Sequence, residues 1–197
     1  STLNWDNKIG SSGCKEIAKQ KWTQLQELDL GIFSLLHVIS DRAEEKPGVG
    51  FEEKYVWKVA YELLQGLRTL HKNNIIHRDI KSANIFFAKG VAKLGDLNVS
   101  KLTEDGFCST QTGTPYYTSP EIWSDKNMVT NAMYGLLVAN YELCTLRVPF
   151  KACDFPSLYR KVTKGEYPDI SQKYSSKLRR FVGMCLTVDE EMRPSAS

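Results

Sequence analysis

A chain of 197 residues that is 42% hydrophobic and 25% charged has the composition of an ordinary soluble globular protein and can bury one sizeable core. A formal net charge of +3 is too small to point to nucleic acid or a membrane surface as a partner. The five cysteines (Cys14, Cys108, Cys144, Cys153 and Cys185) are odd in number and form no CxxC pair, which argues against a disulfide framework or a zinc site and favours a reducing compartment.

In chain order, residues 1–27 are polar and weakly patterned, and no secretory signal is read at the start. Leu30 to Ile39 suits a short helix, and "DRAEEKPGVG" at 41–50 has loop composition. From about Phe51, Tyr55, Val56, Val59, Leu63, Leu67 and Leu70 recur at spacings of three and four, which predicts a long helix with one apolar face. Gly66 within it points to a close helix contact. "NIFF" at 84–87 and "VAKLG" at 91–95 read as two short strands joined by a Lys89-Gly90 turn. Residues 99–118 are rich in Ser, Thr and Gly and read as a long loop. Helical patterns follow at about 129–146, 155–163 and 174–186. The apolar run from Ala132 to Val148 is broken by Asn140, Glu142 and Arg147, so it reads as a buried core helix and not a membrane span. Helices, a hairpin, then helices again predict a mostly helical lobe with its site on the hairpin and flanking loops.

The chemistry gathers in "IIHRDIKSANIFF", residues 75–87, which holds Asp79, Lys81 and Asn84 within six positions. Phosphoryl transfer needs a carboxylate to take the proton of the attacking hydroxyl and a cation to offset charge on the transferred group. It also needs oxygen ligands for a divalent metal. Asp79, Lys81 and Asn84 suit those tasks. Asp96 of "GDLN" would be the second metal ligand, brought to the same end as Asn84 by the hairpin.

"HRDIKSAN" resembles the catalytic loop of protein kinases. "GDLN" stands where that family has D-F-G, "GTPYYTSPE" at 113–121 resembles the end of its activation segment, and "RPS" at 193–195 resembles the site of its late Arg. The wording "SANIFF…KLGDLNVSK…TGTPYYTSPEIW" looks most like the NIMA-related (NEK) serine/threonine kinases. The resemblance covers roughly residues 28–197. It implies an α+β, protein-kinase-like fold: a mostly helical large lobe with short β-hairpins and a small β lobe largely missing. Residues 1–27 would be a degenerate remnant of that lobe or an unstructured segment, and 28–197 the large lobe, cut near its last helix.

The resemblance further implies a transfer of the ATP γ-phosphate to Ser or Thr of a protein substrate, with Mg²⁺. Asp79 would be the catalytic base, Lys81 would contact the transferred phosphate, and Thr114 would bridge the two. Asn84 and Asp96 would hold Mg²⁺. Arg78 and Lys101 would form a basic pocket for a phosphorylated loop residue, Thr110 first and Thr112 next. His77 would be a packed residue, and Glu121 with Arg193 a structural ion pair. The setting implied is cytoplasmic, with association to cytoskeleton or cilia only by family analogy.

The chain departs from the family in two places. "KIGSSGCK" at 8–15 does not give G-x-G-x-x-G, no V-A-I-K occurs, and Lys19 and Lys21 lack the A-x-K spacing. In the helix at 129–146, Ala132, Tyr134 and Gly135 stand at the places of the family's Asp, Trp and Ser. Ala132 cannot accept backbone N–H bonds, each worth about 1–3 kcal/mol if left dry, although neighbouring Asn131 can. These departures lead to the expectation that this chain alone is weakly active or inactive. The alternative reading is a catalytically impaired pseudokinase acting as a protein-binding scaffold.

Overall fold

The computed structural model describes residues 33–73, 75, 77, 79–96, 116–123, 131–189 and 192–193. The expectations for 1–27, and most of the 99–118 loop, lie outside the described residues.

A two-residue strand, β1 (Phe33–Ser34), leads directly into helix α1 (Leu35–Glu45). Ser34 serves both elements. Its backbone pairs with a later strand, while its Oγ accepts the N–H of His37 at 3.3 Å and caps the helix. Leu35 and Ile39 are the buried residues of α1. The helix therefore starts five residues later than the sequence pattern suggested and runs through Glu45, into the stretch read as loop. Ala43, Glu44 and Glu45 are good helix formers, and the stop comes only at Lys46, kept out of the helical region before Pro47 (φ −138°, ψ 74°).

Helix α2 (Glu53–Lys72) buries Val56, Val59, Ala60, Leu63 and Leu67, one face at helical spacing. Gly66 does not mark a close helix contact. It faces Leu94 of a strand, and a Cβ there would meet Leu94 Cδ1 at an ordinary 3.4 Å.

A 3₁₀ turn (Ser82–Asn84) closes the catalytic-loop motif and feeds strands β2 (Ile85–Ala88) and β3 (Val91–Leu94). Lys89 and Gly90 both adopt positive φ, 52° and 75°, the backbone of a two-residue type I′ turn. That turn fixes the register Ile85↔Leu94, Phe86↔Lys93, Phe87↔Ala92 and Ala88↔Val91, and β1 adds antiparallel to β2 through Phe33↔Phe87 and Ser34↔Phe86. The sheet order is β1-β2-β3. The strand pattern had placed Asn84 in β2. It sits one residue earlier, in the turn.

Helices α3 (Pro120–Trp123), α4 (Asn131–Thr145), α5 (Phe155–Lys164) and α6 (Ser176–Cys185) complete the lobe. The short α3 was not read from the sequence. The other three fall within two residues of their patterns at each end. Helix α4 is the centre of the core, with every residue from Tyr134 to Cys144 buried, and it packs against α2 and α6. A helix buried on all sides needs no polar face, which explains its predominantly apolar character. Two polar side chains are nonetheless inside it, Asn140 and Glu142. Mostly helical packing around one small antiparallel sheet is an α+β, kinase-like fold. No helix among the described residues is long and apolar enough to cross a membrane.

Candidate active site

The catalytic-loop motif runs from the end of α2 to the start of β2, across the top of α4. The closest approach is at Gly135. A Cβ built there would lie 3.0 Å from both the carbonyl carbon and the Cβ of Ile80, and closer still to its carbonyl oxygen. The backbone on either side of Ile80 carries Asp79 and Lys81, so the core helix directly supports these two residues.

Asp79 and Lys81 form an ion pair at 2.8 Å, each about one third exposed. The Asn84 amide nitrogen donates to the Asp79 backbone oxygen at 2.9 Å and to its Oδ2 at 3.0 Å. Its own backbone N–H bonds the Lys81 oxygen at 2.9 Å, which closes the 3₁₀ turn. Within six residues, two side chains thus converge on the carboxylate of a third. The hairpin then returns the chain, and Gly95 N–H donates to the Asn84 oxygen at 2.9 Å. The next residue, Asp96, is exposed and adopts φ 54°, the left-handed region that Asp tolerates better than most residues.

His77 is fully buried, and its Nε2–H donates to the Gly95 oxygen at 2.9 Å. Burial lowers its pKa, while the Gly95 bond and the nearby Asp79 and Asp96 charges pull the other way. Its Nδ1 has no hydrogen-bond partner among the described residues, as suits a neutral ring. Phe86, on the opposite sheet face from buried Ile85, lies across Gly95. A Cβ at Gly95 would sit 2.6 Å from the ring, so any other residue here would have to displace the Phe86 side chain.

Behind the turn, the Tyr117 hydroxyl bonds both Glu142 oxygens at 2.9 and 2.8 Å and lies 2.7 Å from Ser82 Oγ. Burial pushes the Glu142 carboxyl up to about 7 against the opposing pull of those hydroxyl donors, and burial also raises the Tyr117 phenol. Further along, Arg193 meets Glu121 with two parallel bonds of 2.6 and 2.7 Å. Its remaining donors reach the Thr187 and Val188 oxygens, and its guanidinium lies 5.0 Å from the Tyr134 ring centre.

The structure therefore brings together Asp79, Lys81, Asn84 and His77, with Asp96 one residue beyond the Asn84–Gly95 bond, and it pairs Glu121 with Arg193. Arg78, Lys101, Thr110, Thr112 and Thr114 lie outside the described residues. Asn131 and Ala132 open α4. Ser82, Phe86, Gly95, Tyr117 and Glu142 were not singled out from the sequence. Only Gly95 carried a usable signal, as a glycine at a strand end, where close approach is the common reason.

Among the described residues no group of three His, Cys, Asp or Glu side chains is arranged to hold a metal alone. The site offers one carboxamide and one carboxylate as hard oxygen donors, a set suited to a cation that keeps waters and substrate oxygens in its shell.

A helical lobe with a carboxylate, an ammonium and a carboxamide gathered at the foot of a hairpin has the form of a kinase-type large lobe. Residues 32–197 match the family model described as Protein kinase domain. The chain is 36% identical to serine/threonine-protein kinase Nek5 of Mus musculus, over 81% of this chain and 26% of that protein. It is 32% identical to serine/threonine-protein kinase Nek11 of Homo sapiens, over 80% of this chain and 25% of that one. It is also 36% identical to putative serine/threonine-protein kinase A of Trypanosoma brucei brucei, over 74% and 35%. The chain spans about a quarter to a third of the length of these relatives. It belongs to the protein kinase domain family, and the Nek-type resemblance read from its motifs holds across that domain. Family membership implies ATP, a divalent cation and a protein acceptor. The relatives are named as serine/threonine-protein kinases, and nothing in the comparisons favours the scaffold alternative.

Proposed function

We propose that this lobe carries the catalytic loop of a kinase that transfers the γ-phosphate of ATP to Ser or Thr hydroxyls of a protein substrate, with only weak activity in this chain alone. The observation that carries the reading is the convergence of Lys81 and Asn84 on the Asp79 carboxylate. In the proposed step the acceptor oxygen bonds to the γ-phosphorus, the bond to the β-γ bridging oxygen breaks, and the hydroxyl proton passes to Asp79. Lys81 sits where it can offset charge on the transferred oxygens. With the Asn84 nitrogen bound to Asp79, its Oδ1 is the atom for a metal, together with the Asp96 carboxylate one strand away. We assign that metal as Mg²⁺, which supplies charge neutralisation on the phosphates when bound. Phe86, half-buried and lying across Gly95, would offer an apolar surface for the base.

The same proposal keeps Thr114 as the bridge between Asp79 and Lys81. It keeps Arg78 and Lys101 as the pocket for a phosphate on Thr110 or Thr112, and residues 28–197 as the lobe distinct from 1–27. A cytoplasmic setting, where ATP and free thiols coexist, completes it.

Phosphotransfer to a Ser/Thr peptide, measured for wild type beside Asp79→Asn, tests the reading. A loss of about 10²–10⁴-fold in the variant is expected. Equal signals in the two proteins would attribute the activity to a contaminant and end the proposal. A thermal-shift titration with Mg·ATP gives a second readout, and no shift at millimolar nucleotide would count against nucleotide binding.

A further inference from the structure

In the sheet order β1-β2-β3, strand β3 is an edge strand among the described residues. Its outer edge faces α2, and the contacts between them fall on regular positions. Lys58 Nζ donates to the Gly90 oxygen, the Glu62 carboxylate accepts the Ala92 N–H at 2.8 Å, and Gly66 lies against the Leu94 side chain. Four residues of helix rise about 6.0 Å, and two residues of strand about 6.6–6.8 Å. Rungs at 58, 62 and 66 therefore stay in step with 90, 92 and 94, and the helix covers this edge as a further strand would.

The middle rung is the one the backbone requires. In a hairpin with a two-residue turn, the pair beside the turn, Ala88 and Val91, makes its bonds inward. The next pair, Phe87 and Ala92, then points its N–H and C=O groups outward. On the β2 side, β1 meets Phe87 through Phe33. On the β3 side Ala92 is buried, and Glu62 supplies the acceptor its N–H needs. The carboxylate is itself held in place: its side chain is 15% exposed, and the Lys58 ammonium lies 3.6 Å from its other oxygen. The strand gripped in this way ends at Leu94, followed by Gly95, whose N–H bonds the Asn84 oxygen, and then by Asp96.

We infer that Glu62 is a positioning residue for Asp96: by fixing β3 along α2 it sets how far the strand carries Asp96 toward Asn84. Helix α2 also leads directly into the segment that bears Asp79 and Asn84, so one helix both launches that segment and gauges the strand that returns to it. The role of Asp96 as a metal ligand rests on the proposed phosphotransfer. The hold of Glu62 on the strand end does not, and it can be measured without turnover.

Hydrogen exchange provides that measurement. Glu62→Leu keeps most of the side-chain volume and removes the acceptor. Exchange should become about tenfold faster at the Ala92 amide, roughly the factor for losing a hydrogen bond to a charged group. It should also become faster at Gly95, whose amide bonds Asn84 and not Glu62. The Leu186 amide, bonded to Val182 at the end of α6, should not change. Glu62→Gln retains an acceptor oxygen and should bring both amides back to within about threefold of wild type. Lys58→Met, a milder change that removes the first rung and the charge beside Glu62, should act in the same direction as Glu62→Leu at both amides. In phosphotransfer, Glu62→Leu should raise the Mg²⁺ concentration for half-maximal rate about tenfold and leave the peptide KM unchanged, with Glu62→Gln close to wild type. Faster exchange at Ala92 with Gly95 unchanged, faster exchange spread evenly through the lobe, or an unchanged Mg²⁺ requirement in Glu62→Leu would overturn the inference. A wild-type protein without phosphotransfer would instead end the proposed reaction, and exchange at Gly95 would still decide whether Glu62 positions the strand end.

Discussion

Replacing Gly135 with alanine sets two well-defined effects against each other. In an exposed helix the change favours folding by about 1 kcal/mol, because glycine has the greater backbone freedom to lose. Here the new methyl would lie 3.0 Å from the carbonyl carbon and Cβ of Ile80, and deeper still into its oxygen. Ordinary carbon contacts begin near 3.5 Å, and the obstructing atoms are backbone, so relief requires a shift on the order of 1 Å between α4 and the catalytic loop. Overpacking of that kind costs about 1–3 kcal/mol, which offsets the helix gain and leaves a net loss of about 0–2 kcal/mol. The melting temperature should therefore fall by no more than about 8 °C. Function should fall further than stability. Ile80 lies between Asp79 and Lys81, and a 1 Å misplacement of reacting groups can cost about 10²-fold in rate. The assays are thermal unfolding and peptide phosphotransfer on the same preparation. A variant that melts higher than wild type, or transfers phosphate at the wild-type rate, would show that the loop does not rest on this helix.

The Glu142 carboxyl, raised from an ordinary 4.5 to about 7, is held protonated by the fold over a range where the unfolded chain ionises it. Its contribution is therefore fully present below pH 4.5, is lost as the pH rises toward 7, and is constant above that. Glu142→Gln should remove a pH-dependent difference on the order of 3 kcal/mol from denaturation curves across that window, and parallel curves for the two proteins would refute the burial argument. Glu121→Gln leaves the Arg193 guanidinium buried opposite a neutral amide and should cost about 3–5 kcal/mol by chemical denaturation, while the paired change to Glu121→Leu with Arg193→Met should recover much of it. Lys89→Asn places a residue that favours positive φ in the exposed type I′ turn and should stabilise by about 0.5–1 kcal/mol, read as a higher denaturation midpoint at unchanged slope. Tyr134→Phe deletes a buried hydroxyl with no hydrogen-bond partner among the described residues and keeps the ring beneath Arg193, so the protein should gain about 1 kcal/mol; a loss would reveal a partner for that hydroxyl.

The parts of the site that could be read from the sequence are those built from local chain. Asp79, Lys81 and Asn84 are neighbours along it, and a two-residue turn with a fixed register carries the return to Asp96, so spacing and turn chemistry suffice to place them. What could not be read depends on distant segments meeting. Strand β1 is only two residues long and exists because Phe33 and Ser34 find Phe87 and Phe86. No propensity rule marks two residues as a strand. Ser82, Tyr117 and Glu142 are each unremarkable in type, and the hydrogen bonds that join them cross 35 and then 25 positions of sequence.

The two glycines make the same point in opposite directions. Gly66 drew attention because it interrupts a periodic helix, yet a methyl group would fit there at an ordinary distance. Gly135 was noticed only as a departure from a family pattern, yet it is where the core helix meets the catalytic loop with no room for a Cβ. A glycine's local sequence shows its cost to a helix. Only the partner across the contact shows what that cost provides, and in this lobe the partner is the backbone that carries Asp79 and Lys81.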